Sequence, residues 1–396
     1  MSGKERFSRE AAAGLDRQVI EDSNVIVVGA GALGNFIMLA LALLGFPRVT
    51  CVDMDRFEDS NAPRSPFYQR GRLKARAVAA GARRLCTATE NVVYRYASVM
   101  VQALGDDLFK GAGRTIVLSA VDCPQARRWL AERCRKTGIP LIEGGFHSGR
   151  WNASVILNQA EAEPCWACGQ GPLGTRRLFS CETYARQVEA AGLVPAAAPV
   201  AMQLAAFMVE AMTQLLHGDL TLANRTLFAE LTRGVVQSMQ RVADPSCPID
   251  HRVVAHQAKP MHCGPQDTVC SLLEELAGQV SDPIVRLPAA FIAVAPCGQC
   301  HSTTLVRQPA WRLAKTPLCR ECGGSFKRTP RVAEQHGTLS EPTSRSIFPW
   351  RLEAIGLGPG LHLEVDGRDR SLTIALAGGA DLLTVVGRKV MPETVS

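Results

Sequence analysis

The chain reads as an α/β protein: a doubly wound sheet in its N-terminal part, followed by a small β-rich module with a zinc-ribbon pattern. Three observations predict this. Short apolar runs alternate with helical patterns through the first 240 or so residues, the order that builds a largely parallel sheet. The first run ends in Gly29-Ala-Gly31-Ala-Leu-Gly34 and opens directly into a helix. Six of the 14 cysteines form three Cys-x-x-Cys pairs, Cys165/Cys168, Cys297/Cys300 and Cys319/Cys322.

The elements follow in order. Residues 1–20 form a polar, helical arm. Asn24-Val-Ile-Val-Val-Gly29 is an unbroken apolar run, the mark of a strand buried on both faces. Ala32 to Leu44 has helical spacing, and Arg48-Val-Thr-Cys-Val-Asp53 is a second strand, which completes a βαβ unit of about 30 residues. Further strands are expected at Val92–Tyr96, Thr115–Ala120, Pro140–Ile142 and Ala153–Leu157, with helices at Leu73–Leu85 and Pro124–Lys136 between them. Residues 160–199, rich in Gly, Pro, Ala and Glu, form a long crossing loop. A helix at Val200–Leu216 ends at His217-Gly218, and strands near Thr226–Leu231 and Val235–Arg241 close a domain over residues 1–255. Residues 256–296 read as a connector with one short helix around Ser271–Ala277, 297–330 as a four-cysteine module, 331–346 as a linker and 347–396 as a small β-rich segment. In that last segment two alternating runs flank Asp366-Gly367, a hairpin signature.

Composition narrows the class. Hydrophobic residues make up 46% and charged residues 20%, so a largely disordered chain is excluded. No apolar run reaches the roughly 18–20 residues that span a bilayer. The N-terminus has no apolar signal core, and a cytoplasmic location without membrane attachment is expected. In a reducing compartment the paired cysteines read as zinc ligands rather than disulfides. The net charge of +7 is concentrated at Arg307, Arg312, Lys315, Arg320, Lys327, Arg328 and Arg331. That stretch has none of the aromatic interleaving that single-strand binders use, so nucleic acid is unsupported as a partner.

The glycine turn implies a nucleotide. Gly29, Gly31 and Gly34 let backbone approach a phosphate, and the helix N-terminus offers free N–H donors. Asp53 ends the next strand, where it can accept from ribose hydroxyls. This much fits a nicotinamide dehydrogenase equally well. A second class, a binding protein without turnover, would have no need of the charged set that follows.

That set is Asp53-Met-Asp55, then Ser60-Asn61, Arg64, Gly71 and Lys74, and later Ala120-Val-Asp122 and Arg127. In order and spacing it resembles the ubiquitin-activating-enzyme superfamily, the ThiF/MoeB-type adenylyltransferases, over about residues 5–245. Arg6-Phe-Ser-Arg9 resembles the arginine-bearing start of that family. Ala32 and Ser65 depart from the pattern, standing where glycine and glutamine are common. The resemblance implies a Rossmann-like adenylation domain that binds ATP and Mg²⁺. Arg64 and Lys74 would contact phosphates, Asn61 would lie near the reacting phosphate, and Asp122 would hold Mg²⁺. Arg9 would reach into a neighbouring subunit's site, which implies a homodimer.

Glu163-Pro-Cys165-Trp-Ala-Cys168 matches the family's first zinc pair. The second pair is expected near Cys247-Pro-Ile-Asp250-His251, where the second cysteine is missing. His251 or Asp250 could replace it, and imidazole is the commoner partner of three thiolates. Cys297, Cys300, Cys319 and Cys322, with 18 residues between the pairs, have four-cysteine zinc spacing. Cys181 lies in the crossing loop, where relatives that form a thioester carry a cysteine. The implied reaction is adenylation of the C-terminal carboxylate of a ubiquitin-like or sulfur-carrier-like protein, then a thioester on Cys181 and transfer to a conjugating protein or sulfur donor. Relatives that modify small ribosomal peptides are the alternative.

Overall fold

The structure is a computed structural model. It describes residues 6–169 except 89, 112, 148 and 149, residues 197–297 except 255 and 256, and residues 299–309, 319, 321–323, 334–378 and 382–386. The chain divides into two compact units. The first holds residues 1–100, 109–252 and 381–396, and the second holds 101–108 and 253–380.

The first unit opens with two short helices, α1 (Ser8–Ala12) and α2 (Arg17–Glu21), the latter capped by the Asp16 carboxylate, which accepts from the Gln18 N–H at 2.9 Å. Then come β1 (Ser23–Val28), α3 (Ala32–Leu43), β2 (Arg48–Val52), α4 (Lys74–Leu85), β3 (Val93–Ala97), β4 (Arg114–Ser119), α5 (Pro124–Thr137), β5 (Leu141–His147), β6 (Arg150–Ile156), α6 (Ala198–Leu216), β7 (Arg225–Glu230) and β8 (Val235–Gln240). The sheet order is Thr384–Val385, β3, β2, β1, β4, β5, β6, β7, β8. β3, β2, β1, β4 and β5 are parallel, and the remaining pairings are antiparallel. The order reverses between β1 and β4, so the C-terminal ends of these two strands flank a crevice, the usual ligand position in an open α/β sheet.

Burial explains why the sequence takes this form. Ile37, Met38 and Leu41 of α3 and Leu204, Met208 and Met212 of α6 are fully buried, α3 packing on α6 and α6 on β5 and β6. α6 is long and apolar enough to cross a membrane by length and composition, contrary to the expectation that no such run exists. Here it is a core helix, with ten of its residues buried. β5 also runs past its expected end at Ile142, because Gly144-Gly145 continues the strand instead of turning. A Cβ at Gly144 would stand 2.4 Å from the Met208 sulfur, so α6 packs closely over this glycine.

The second unit contains β9 (Lys259–Pro260), α7 (Val269–Ala277), β10 (Ile284–Pro296), β11 (Thr303–Pro309), β12 (Glu334–Leu339), β13 (His362–Asp366) and β14 (Ser371–Ala375). Its sheet order is β11-β10-β13-β14-β9, and β12 also pairs with β10. The hairpin about Asp366-Gly367 forms as expected, with Leu363 opposite Ile374. The connector region 256–296 carries the short helix expected around Ser271–Ala277, here α7, and beyond that expectation supplies β10, which pairs with β11, β12 and β13. The linker expected at 331–346 supplies β12, whose polar sequence pairs antiparallel with β10. β10 carries the apolar run Phe291-Ile-Ala-Val-Ala295, a strand signal in its own right, whereas β12 has no such pattern and is set by pairing. Residues 101–108, far away in sequence, belong here too. The buried Asp106 carboxylate accepts from the His362 N–H at 2.7 Å at the start of β13.

Removing that acceptor tests the join. Asp106→Ala should destabilise this corner by about 1–3 kcal/mol, the cost of an unpaired buried amide. Hydrogen exchange of the full chain should quicken over 360–366 and stay unchanged over β1. Unchanged exchange at 360–366 would refute the join.

Candidate nucleotide site and metal clusters

The turn between β1 and α3 is built by steric necessity. Gly29 has φ +97°, and a Cβ there would lie 2.5 Å from the Ala120 carbonyl oxygen. A Cβ at Gly34 would lie 1.8 Å from the Gly29 carbonyl oxygen. These two glycines allow helix and strand to approach. Gly31 differs: a Cβ there meets nothing within 4 Å. It is the N-cap of α3 and has no side chain to cap the first turn. The open space over Gly31, beside the amides of a helix start, is a cradle that suits a phosphate.

The side chains around the turn are fixed by hydrogen bonds. Asp53 accepts from the Ala30 N–H at 2.7 Å and from the Asp55 N–H at 2.7 Å. Burial pushes its carboxyl up, while the Ala30 amide and Lys74 pull it back. The Lys74 ammonium lies 3.4 Å from the Asp55 carboxylate, and the Lys74 N–H donates to the Asp55 carbonyl at 2.8 Å. Asn61 closes a capping box at the 3₁₀ turn Asp59–Arg64, its Oδ1 accepting from the Glu58 N–H at 2.9 Å. Arg64 ends that turn, half-buried.

Asn35 has a role that the sequence reading missed. It is fully buried, and its amide donates to the Ala30 and Gly31 carbonyls at 2.8 and 2.9 Å. Its Oδ1 accepts from the Phe67 N–H at 3.3 Å, tying the glycine turn to the segment that carries Asn61 and Arg64. An asparagine directly after the glycine motif, on the face that helix spacing buries, was the available signal.

Asp122 is exposed, three residues past the end of β4. Arg127 holds its loop, donating from Nε to the Val121 carbonyl at 2.9 Å while pairing with the buried Glu143 carboxylate. Thus Gly29 and Gly31 follow β1, Asp53 and Asp55 follow β2 and Asp122 follows β4, at the C-terminal ends of three adjacent parallel strands; Asp55 holds Lys74 beside them, and Asn35 ties in the segment of Asn61 and Arg64.

Arg9 does not join them within one chain. Arg17 donates to the Leu44 carbonyl at 2.8 Å and lies 4.3 Å over the Phe7 ring, and Arg6 donates to the Thr87 carbonyl at 2.7 Å. These contacts fix the arm at the C-terminal end of α3, about 18 Å along the helix from Gly31 at 1.5 Å per residue. Cys181 lies outside the described residues, as does most of the basic stretch, Arg312 to Arg331.

The structure brings two sets of metal-ligand atoms together, each within 4.8 Å: Cys165, Cys168, Cys247 and His251; and Cys297, Cys300, Cys319 and Cys322. In the first, Cys165 and Cys247 sulfurs are 3.5 Å apart, and Cys168 is 3.3 Å from His251 Nε2. In the second, the Cys297/Cys322 and Cys300/Cys319 distances are 3.7 and 3.6 Å. A tetrahedral ion with bonds of about 2.3 Å to sulfur has edges of about 3.8 Å, so both sets fit zinc. His251 turns Nδ1 toward the Glu161 carbonyl at 3.3 Å, the outer contact that a ligating imidazole makes. Asp250, the other candidate, is instead held by Arg252 at 2.6 Å. A left-handed residue follows each pair, Gly169, His301 and Gly323, turning the chain away from the sulfurs.

Comparison with known proteins agrees with this geometry. The ThiF family model matches residues 7–249. The chain is 32% identical over 151 residues to ubiquitin-like modifier-activating enzyme 7 of Homo sapiens, covering 36% of this chain and 15% of that protein. It is 33% identical over 147 residues to the adenylyltransferase and sulfurtransferase MOCS3 of Mus musculus, covering 36% and 31%. It is 29% identical over 163 residues to the NEDD8-activating enzyme E1 catalytic subunit of Dictyostelium discoideum, covering 37% and 35%. The chain thus spans about a third or less of the length of these relatives. Among solved structures, E. coli MccB superposes with a TM-score of 0.52 at 16% identity, over 64% of this chain and 74% of that one. MccB with AMPCPP and MccA gives 0.50 at 15%, over 62% and 74%. At such identity the likeness is one of fold.

The metal clusters give a direct prediction. The purified full chain should carry two zinc equivalents, and Cys297→Ser should carry one. Elemental analysis showing two in the variant would remove the second cluster as a metal site.

Proposed function

Since the chain belongs to the ThiF family, we propose that it uses ATP to adenylate the C-terminal carboxylate of a small protein or peptide, a ubiquitin-like or sulfur-carrier-like protein first. The observation that carries this reading is the sheet edge itself. Gly31 is open at the start of α3, Asp55 holds the Lys74 ammonium, Arg64 ends the 3₁₀ turn after β2, and Asp122 is exposed just past β4. The relatives' names support it, since they are activating enzymes and an adenylyltransferase.

The reaction is a displacement at phosphorus. An oxygen of the substrate carboxylate bonds to the α-phosphorus of ATP as the bond to the bridging oxygen breaks. The products are an acyl adenylate and pyrophosphate. Negative charge grows on the phosphoryl oxygens, so fixed cations lower the barrier. Lys74, its ammonium aimed by Asp55, and Arg64, set by the 3₁₀ turn, supply that charge. Amides at the start of α3 and the side chain of Asn61 add donors. Asp53 takes the ribose. Asp122 would hold magnesium, which supplies further positive charge beside the leaving pyrophosphate.

Further steps belong to the same proposal. A Cys181 thiolate attacking the acyl carbonyl would form a thioester and release AMP. Arg9, held at the far end of α3 in its own chain, would act in the site of a second copy. Zinc at both clusters completes the set of bound metals.

ATP–pyrophosphate exchange tests the reading. Small proteins encoded beside this gene, and short peptides, are each assayed with and without the last two residues. Exchange should depend on one intact C-terminus, and Asp122→Ala should abolish it with the fold retained. Exchange at the wild-type rate in that variant would reject Asp122. No exchange with any candidate, despite ATP binding, would reject adenylation of these substrates.

Gly34→Ala probes the turn. The new methyl must displace the Gly29 carbonyl, so magnesium-ATP affinity should fall at least about 100-fold, the factor for roughly 3 kcal/mol. Calorimetry giving the wild-type affinity would show that the turn does not bind the nucleotide.

A further inference from the structure

One buried chain of contacts links the first metal cluster to Asp122. It begins at the turn of Cys165-Trp166-Ala167-Cys168. A single guanidinium nitrogen of Arg241 donates to the carbonyls of Cys165, Trp166 and Cys168 at 3.0, 2.9 and 3.0 Å. The turn therefore holds one shape, and Trp166 leaves it in one direction. The indole N–H of Trp166 donates to Glu143 Oε2 at 3.3 Å. The Glu143 side chain is 1% exposed, and its other oxygen pairs with Arg127. Arg127 Nε then donates to the Val121 carbonyl at 2.9 Å, one peptide before Asp122. The strand makes room for this arginine: a Cβ at Gly145 would lie 3.1 Å from Arg127 Nη2.

We propose that Trp166, Glu143 and Arg127 form a positioning relay that sets the Asp122 loop from the Cys165–Cys168 turn. This rests on the adenylation reading of Asp122. The relay couples the first metal cluster to magnesium-ATP binding through the backbone of the Asp122 loop. Buried charge gives it direction. A carboxylate out of water is stable only with its donors in place, so Glu143 holds Arg127 to one side and the indole to the other. Arg127 is thereby fixed in the rotamer that reaches Val121. Removing the indole N–H leaves Glu143 short of a donor and lets the ion pair shift. The Asp122 loop, otherwise exposed, moves with it.

The test uses the full chain, with zinc content and magnesium-ATP calorimetry on the same preparation. Trp166→Phe keeps an aromatic ring in the core but removes the N–H together with part of the indole's bulk. Its magnesium-ATP affinity should fall about tenfold, the size of one lost hydrogen bond to a charged group. ATP affinity without magnesium should be unchanged, and both zincs should remain. Arg127→Lys keeps the charge for Glu143 but loses the fork that also reaches Val121, and should weaken magnesium-ATP at least as much. Unchanged magnesium-ATP affinity in both variants would overturn the relay. Loss of a zinc from Trp166→Phe in step with the affinity would overturn it too, because Trp166 would then only pack the cluster. If the wild-type chain itself binds no magnesium-ATP, the adenylation reading fails on its own. Amide exchange over 119–124 without nucleotide then decides the relay: faster exchange in Trp166→Phe supports it, and unchanged exchange overturns it.

Discussion

The close approach of three backbone segments at the ends of β1 and β4 governs the rest of the nucleotide edge. Gly29 must lie against the Ala120 carbonyl, and Gly34 against the Gly29 carbonyl. No side chain fits at either position. That contact points the start of α3 at the crevice and brings the Asp122 loop beside it. Asp53, bonded to the Ala30 amide, joins β2 to the same turn, and Asn35 adds the segment of Asn61 and Arg64. Every charged group at the edge is thus referred to one short piece of backbone. In the proposed reaction this would be preorganisation, with donors and cations in place before a phosphate arrives.

Much of this was legible in the sequence because local rules decide it. The run from Asn24 to Asp53 follows strand, turn and helix rules that act within 30 residues or so. The cysteine pairs carry their geometry in their spacing, and His251 was favoured on ligand chemistry alone. The illegible parts depend on distant partners. Gly144-Gly145 resembles a turn and is strand, because α6 passes over it. Glu334–Leu339 looks like a linker and is strand, because β10 offers it an edge. Residues 101–108 join a unit whose other members begin at 253, and no local pattern could announce that. Asn35 and Glu143 were overlooked for a similar reason: each acts through other residues, and single-residue chemistry does not reveal a bridge.

The two sets of candidate metal ligands show the same division between local and distant control. Each Cys-x-x-Cys turn is local, and a left-handed residue after it completes the bend. The pairing of turns is distant. Cys247 and His251 reach Cys165 and Cys168 only because β7 and β8 bring the chain back, and Arg241 at the end of β8 clasps the turn. The first cluster is therefore part of the sheet domain rather than an ornament on it. In the second cluster the Ser302 hydroxyl and nearby amides hold the Cys319 thiol below its usual range.

The central claim is that ATP binds at this one sheet edge and not elsewhere on the chain. Hydrogen–deuterium exchange of the full chain, with and without magnesium-ATP, measures that claim directly. Slower exchange confined to residues 29–35, 53–64 and 120–124 is the predicted footprint. Protection by NADH over the same residues with none by ATP, or ATP protection confined to the second unit, would contradict the account.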